Sequence, residues 1–197
     1  MTSFTNTKVY VINNVDSVES SSLEFLYAIL PDERKTVVNN CYWDHDKTIK
    51  IVEYFVLQKI LAQVGGGAYL NRVLNFKYTK NGKPYISYAP CFNISHSKTK
   101  LVIAVSVNQV GVDIEPIIKF RKRLARYICT PQEYQTIVKS DNKDLELTKL
   151  WTKKESFIKL KGLAFANNLK TILNNASDCK FKFWVTGEDV TCLCEQV

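Results

Sequence analysis

The 197-residue sequence has no apolar run approaching a membrane span, and no basic segment followed by an apolar one near its start. A bilayer-crossing helix needs about 20 consecutive apolar residues, and a secretory leader needs that basic-then-apolar order. The sequence therefore predicts a soluble, cytoplasmic chain. No long tract is polar either: 46% of residues are hydrophobic and 23% charged. That balance excludes intrinsic disorder and leaves apolar side chain for one good core or two small fused ones. Six cysteines (Cys41, Cys91, Cys129, Cys179, Cys192, Cys194) follow no framework spacing, which argues for reduced thiols rather than a disulfide scaffold. Zinc is not expected, because "CLC" at residues 192–194 lacks a second pair and His45 lacks a spaced partner. The glycines at 65–67 are followed by "AYL" and not by Lys-Ser/Thr, which removes a P-loop. There is no internal repeat, and no pattern that offers a Ser-His-Asp nucleophile.

What the sequence has in excess is positive charge: 27 Lys and Arg stand against 19 Asp and Glu, a net +8. Such a surplus suits an anionic partner (nucleic acid, a phosphorylated cofactor, an acidic protein) and equally serves ordinary solubility. Periodicity says more. "KVYVIN" alternates as a strand, and "SSSLEFLYAIL" and the segment after Pro31 read as short helices, with Pro31 in a first turn. From His45, apolar residues Ile49, Val52, Val56 and Ile60 recur at helical spacing until the glycines at 65–67. "FKYTKNGKPYISY" is strand, turn, strand around Asn81-Gly82. "CFNISHS", "LVIAVSV" and "VGVDIE" read as three short strands of an antiparallel meander. "KFRKRLARY" reads as helix, and Thr130, Pro131 and Glu133 carry capping-box spacing for the next one. Leu147, Leu150, Trp151, Phe157 and Ile158 mark a main C-terminal helix ending near Gly162, before strands "KFKFWV" and "VTCLCE". The class is α+β, with a boundary near Asn108.

Four stretches could carry chemistry. In "GVDIEP", Asp113 and Glu115 leave one face of a strand with Cα atoms roughly 7 Å apart. Such a pair repels unless a cation sits between, and oxygen donors suit Mg²⁺ or Mn²⁺; the plain alternative is a solvated sheet face. In "WTKKESFIKLKG", helical period places Trp151, Glu155, Ile158 and Gly162 along one face, with Lys159 one turn after Glu155. The plain alternative is an i,i+4 surface pair worth a few tenths of a kcal/mol. "FNISHS" sets His96 between Ser95 and Ser97, a group that can hold phosphate or simply form a satisfied loop. Lys83 in "NGKPY" can meet an anion or belong to a hairpin turn. Taken singly, each stretch is read more simply as structure.

Taken together, G-K-P, F-N-I-S-H-S, G-V-D-I-E and W-T-K-K-E-S-F-I-K-L-K-G, in that order between Lys80 and Gly162, resemble the signature set of the 4′-phosphopantetheinyl transferases of the surfactin-synthetase (Sfp) type. The resemblance implies two pseudo-symmetric α/β subdomains, each a small antiparallel sheet packed with helices. Residues 1–107 would carry the coenzyme A adenosine and 3′-phosphate contacts, and residues 108–197 the metal site and catalytic helix. It also implies a monomeric enzyme that moves the 4′-phosphopantetheine arm of coenzyme A onto a serine of an apo acyl or peptidyl carrier protein, releasing adenosine 3′,5′-bisphosphate. Neither nucleic acid nor membrane is expected as a partner. Carried over by motif, Asp113, Glu115 and Glu155 hold Mg²⁺ (or Mn²⁺) with the pyrophosphate, and Lys159 neutralises phosphate charge. Glu155 takes the serine proton, directly or through a water. Ser95 and His96 meet the 3′-phosphate, and Lys83 and Pro84 lie at the adenosine end. The family's arginine in the first long helix is missing here, leaving Arg34, Lys47 or Lys50 to grip the nucleotide. Glu133 reads as a capping residue rather than a catalyst. Two rivals share part of this logic: a metal-dependent phosphodiesterase or nuclease, for which no aromatic platform interleaves the basic residues, and a catalytically silent carrier-binding module, against which the intact acids and Lys159 argue.

Overall fold

The computed structural model describes residues 7–65, 67, 69, 72–164 and 168–197. Gly66, one of the three glycines expected to stop the first long helix, lies outside them. In chain order the elements are β1 (Lys8–Asn13), α1 (Ser20–Ala28), α2 (Asp32–Asn39), α3 (Asp44–Val64), β2 (Phe76–Tyr78), β3 (Pro84–Ile86), β4 (Cys91–His96), β5 (Lys100–Ser106), β6 (Val110–Pro116), α4 (Lys122–Ile128), α5 (Pro131–Lys139), α6 (Lys143–Lys161), β7 (Cys179–Thr186) and β8 (Asp189–Gln196). Pro31 sits at the N-cap of α2 rather than inside its first turn, and α4 takes only the second half of the basic stretch. The capping box of α5 is present: Thr130 Oγ1 accepts from the Glu133 N–H, and Glu133 Oε2 accepts from the Thr130 N–H.

Among the described residues the strands make two three-stranded antiparallel sheets, ordered β1-β5-β4 and β6-β8-β7, plus the β2-β3 hairpin. Each three-stranded sheet follows one plan. A leading strand is followed by helices, the last of them long (α3 or α6), and then by a hairpin whose second strand takes the central place. The expected meander is corrected here. β4 and β5 pair, but β6 does not continue onto β5; it pairs with β8 and opens the second sheet. The edges of β4 and β6 still meet, through side chains. Asn93 Oδ1 accepts from the Val112 N–H (2.8 Å) and Ser95 Oγ from the Ile114 N–H (3.3 Å). Side-chain acceptors thus satisfy buried N–H groups that a ladder would otherwise serve.

Strand alternation sorts the cores. Leu101, Ile103 and Val105 of β5 face the cluster built on Ile49, Leu57 and Leu61 of α3. Val102 and Ala104 join Val110, Val112, Ile114 and Leu193 in a cluster that ties the two sheets together. The opposite face of β6 lies under α6 with almost no clearance. A Cβ on Gly111 would stand 2.0 Å from the Ser156 carbonyl oxygen and 2.5 Å from the Leu160 nitrogen, so glycine is what lets helix backbone touch strand backbone. At its far end α6 is closed by Gly162 in the left-handed region (φ 60°), with the Leu163 N–H returning to the Ile158 carbonyl, a Schellman-type stop. No helix among the described residues is long and apolar enough to cross a membrane, and the six cysteines are free thiols.

Candidate active site

With Val112 and Ile114 turned into the inter-sheet core, Gly111, Asp113 and Glu115 are left on the α6 side of β6. The close pass at Gly111 brings the Trp151–Glu155–Lys159 row of α6 over them. Trp151 Nε1 donates to Glu115 Oε1 (3.0 Å), and Lys159 Nζ donates to Asp113 Oδ1 (2.7 Å) and to Ser95 Oγ (2.8 Å). Lys159 therefore reaches across to the strand instead of closing a surface pair with Glu155. Ser95 Oγ donates to Asp113 Oδ1 (3.0 Å) while accepting from Lys159 and the Ile114 N–H. A hydroxyl has one donor and two acceptor positions, so Ser95 is saturated inside the protein.

Asp113, Glu115, Glu155 and Lys159 line one cavity of about 400 Å³, together with Trp151, Ser95 and His96 and with Lys50 and Glu53 from α3. Asp113 and Glu155 are 2% and 9% exposed, yet Asp113 Oδ2 and Glu155 Oε1 are buried with no hydrogen-bond partner. Burial, then the charge of Asp113, pushes the Glu155 carboxyl from its ordinary 4.5 up to about 7, with Lys159 opposing and Glu115 adding to the rise. Glu115 is also raised, by burial and by Asp113, against the lowering effect of the Trp151 hydrogen bond and Lys159. An ionised oxygen left bare in a buried site costs several-fold more than one that is paired. Both bare oxygens belong to residues that line the same cavity, where a cationic ligand would answer the charge.

The donor set fits a hard divalent cation. It is all oxygen, and its two bare oxygens are buried. Among the described residues no three His, Cys, Asp or Glu side chains are gathered closely enough to hold a metal ion by themselves, so the three acids are not a ready-made three-ligand site; Mg²⁺ takes only one or two carboxylates and completes its shell with water and substrate phosphates.

At the other end of the cavity, His96 is lowered from its ordinary range by burial first and by the Lys50 charge second. Pro84 and Lys50 also line the cavity. Arg34 and Lys83 do not. Arg34 is 4% exposed, stacks 4.5 Å over Phe76 and donates to Glu53 Oε1 (3.3 Å). Lys83 Nζ is spent on Gln109 Oε1 (3.0 Å), the Leu160 carbonyl (2.8 Å) and the Val110 carbonyl (3.3 Å). With the Asn81 amide on the Gly162 carbonyl, the hairpin turn clasps the C-terminal end of α6, where bare carbonyls need donors. Lys47 pairs with Asp44 at the surface. Basic type alone does not reveal whether a charge is already committed.

Two buried ionic residues escaped the sequence reading. Glu53 takes Arg34 on one oxygen and Lys50 on the other. Lys154, 0% exposed, donates to the Ile128 carbonyl (2.7 Å), Glu133 Oε2 (2.8 Å) and the Lys170 carbonyl (3.3 Å), pinning α5 to α6. A signal was present in each case. Glu53 falls on the Ile49–Leu57–Ile60 stripe and Lys154 between Leu150 and Ile158, both polar positions on apolar faces.

Residues 109–193, the span that holds β6, α6 and the three acids, match the family model of the 4′-phosphopantetheinyl transferase superfamily. The chain is also similar to several 4′-phosphopantetheinyl transferases. It is 37% identical over 103 residues to the 4′-phosphopantetheinyl transferase gsp of Aneurinibacillus migulanus, covering 48% of this chain and 44% of that one. Against the 4′-phosphopantetheinyl transferase Sfp of Bacillus subtilis it is 32% identical over 93 residues, 45% of this chain and 42% of the relative. A longer, weaker match joins it to the 4′-phosphopantetheinyl transferase ffp of Bacillus subtilis, 26% identical over 161 residues, 79% and 70% of the two chains. The stronger matches thus span under half the length of those transferases.

Proposed function

We propose that the protein is a 4′-phosphopantetheinyl transferase, moving the phosphopantetheine arm of coenzyme A to a serine of an apo acyl or peptidyl carrier protein and releasing adenosine 3′,5′-bisphosphate. The observation that carries this reading is the pair of bare, buried carboxylate oxygens on Asp113 and Glu155, sharing one cavity with Lys159. Asp113, Glu155 and Glu115 would hold one Mg²⁺ or Mn²⁺, which when bound supplies positive charge against the diphosphate of coenzyme A. Glu155 takes the proton from the carrier serine hydroxyl, directly or through a water. The serine oxygen bonds to the phosphorus that bears the pantetheine arm, the P–O bond to adenosine bisphosphate breaks, and the proton rests on Glu155. Lys159 stabilises the charge that collects on the phosphate oxygens in that step, and Asp113 and Ser95 fix its ammonium. His96 meets the nucleotide end. The protein acts as a cytoplasmic monomer in this reading, and its basic surplus steers acidic carriers.

Incubating the protein with apo-carrier, coenzyme A and Mg²⁺ and weighing the carrier by mass spectrometry tests this. The carrier should gain one phosphopantetheine arm. A carrier that is bound but never modified would leave only a binding module, and cleavage of RNA or DNA with no transfer would point to a nuclease.

A further inference from the structure

Asp113 is a buried carboxylate whose two oxygens are unequal. Oδ2 is bare, whereas Oδ1 accepts from Lys159 Nζ (2.7 Å) and from the Ser95 hydroxyl (3.0 Å). Those two donors also touch each other, Lys159 Nζ to Ser95 Oγ at 2.8 Å, so three side chains close a triangle. Ser95 enters it from the other half of the molecule. Along β4, Phe92 and Ile94 face the α3 core, and strand alternation leaves Asn93 and Ser95 on the side of β6. Both accept from β6 N–H groups, Asn93 from Val112 (2.8 Å) and Ser95 from Ile114 (3.3 Å). Sealing that seam uses one lone pair of Ser95. Its proton goes to Asp113 and its other lone pair to Lys159, and closing the seam requires neither contact. The carboxylate torsion of an aspartate is soft and roughly two-fold, so an unanchored Asp113 can present either oxygen. Donors on Oδ1 alone settle which oxygen stays bare, and hydrogen bonds of this kind to a ligating carboxylate tune its metal affinity.

We propose that Ser95 is a positioning residue, whose hydroxyl holds Asp113 and Lys159 so that Asp113 Oδ2 is presented to a divalent cation. This rests on the reading that the acids hold such an ion. It takes Ser95 out of contact with coenzyme A, because its one donor and two acceptor positions are already filled within the protein.

The test measures the Mn²⁺ dissociation constant, from the electron paramagnetic resonance signal of the free ion, for wild type, Ser95→Ala and Asn93→Ala. Calorimetry gives coenzyme A binding without metal for the same three proteins. Ser95→Ala should weaken Mn²⁺ binding by about 10–100-fold, leave metal-free coenzyme A binding unchanged, and recover transfer as Mn²⁺ is raised. Asn93→Ala should melt at a lower temperature yet keep the wild-type Mn²⁺ constant. An unchanged constant in Ser95→Ala, or equal weakening in Asn93→Ala, would reduce Ser95 to a seam residue and overturn the proposal. Weaker metal-free binding of coenzyme A to Ser95→Ala would overturn it as well, making the hydroxyl a ligand contact. If Ser95→Ala does not fold, wild-type crystals with Mn²⁺ and coenzyme A decide. Ser95 Oγ should stay on Asp113 Oδ1, and a phosphate oxygen on that hydroxyl would overturn the proposal. The functional reading fails separately. Wild type whose Mn²⁺ binding depends on Ser95 but which never modifies a carrier sinks the transferase alone, and wild type that binds no Mn²⁺, with or without coenzyme A, sinks both.

Discussion

Helices α3 and α6 hold equivalent places in two sheets of the same topology, and each lends a buried glutamate to the same cavity. Glu53 on α3 is satisfied on both oxygens by cations of its own half. Glu155 on α6 is buried with a bare oxygen, next to Asp113 with another. The difference teaches how to read buried acids: burial alone marks neither structure nor chemistry, and the missing partner marks the place where a ligand enters. One half of the molecule closes its charge internally, while the other leaves it open.

The sharpest way to break that comparison is to remove the open acids. Asp113→Ala or Glu155→Ala should lower transfer by about a thousandfold or more with circular dichroism unchanged; activity near wild type in either would take that residue out of the metal site. Next in size is the contact that brings the two walls together. Gly111→Ala forces a Cβ to within 2.0 Å of the Ser156 carbonyl, and overpacking of that kind costs about 3 kcal/mol or more, read as a lower urea midpoint and lost transfer. A neutral effect on stability would mean that α6 does not lie on β6 as described.

Paired substitutions sharpen the contrast directly. Glu53→Gln should destabilise by about 3 kcal/mol, because Arg34 then stays buried without its anion, whereas Glu155→Gln should stabilise the metal-free protein while abolishing transfer. Shifts of the same sign in the two melting temperatures would erase the distinction. The pH response follows from the same residue. Glu155 titrates at about 7 in the folded protein against an ordinary 4.5, so between those values the native state binds more protons than the unfolded one. Stability of metal-free protein should therefore fall as pH rises from about 4.5 to about 7, and Glu155→Gln should flatten that slope; an equal slope in the variant would assign the effect elsewhere. The smallest effect is expected at Lys83. Lys83→Ala should cost about 1–2 kcal/mol of stability through lost carbonyl contacts while leaving affinity for coenzyme A unchanged. A selective loss of affinity would return Lys83 to the nucleotide site.

Much of this site was legible in the sequence because two periodicities carry it. Period two puts Asp113 and Glu115 on one face of a strand, and period 3.6 aligns Trp151, Glu155 and Lys159, so each half of the acid set was readable before its partner was. That the two faces oppose each other depends on Gly111, whose role emerges only when α6 is laid on β6. The sheet order was not readable, since the short step at Asn108-Gln109 suits a meander as well as it suits the start of a second sheet. Nor were the committed charges. The partners of Arg34 and Lys83 lie far along the chain or are backbone carbonyls, and neither leaves a mark on local composition, whereas Lys154 was marked only as a polar residue on an apolar face. Ser95 was read as a phosphate contact; in the structure its hydroxyl is occupied by Asp113, Lys159 and a backbone N–H.

The most direct measurement is an anomalous difference map from crystals grown with Mn²⁺ and coenzyme A. A peak coordinated by Asp113 Oδ2 and Glu155 Oε1, with the diphosphate on its open side, is the result expected. Ordered coenzyme A with no ion at those two oxygens, or Mn²⁺ bound elsewhere, would contradict the account.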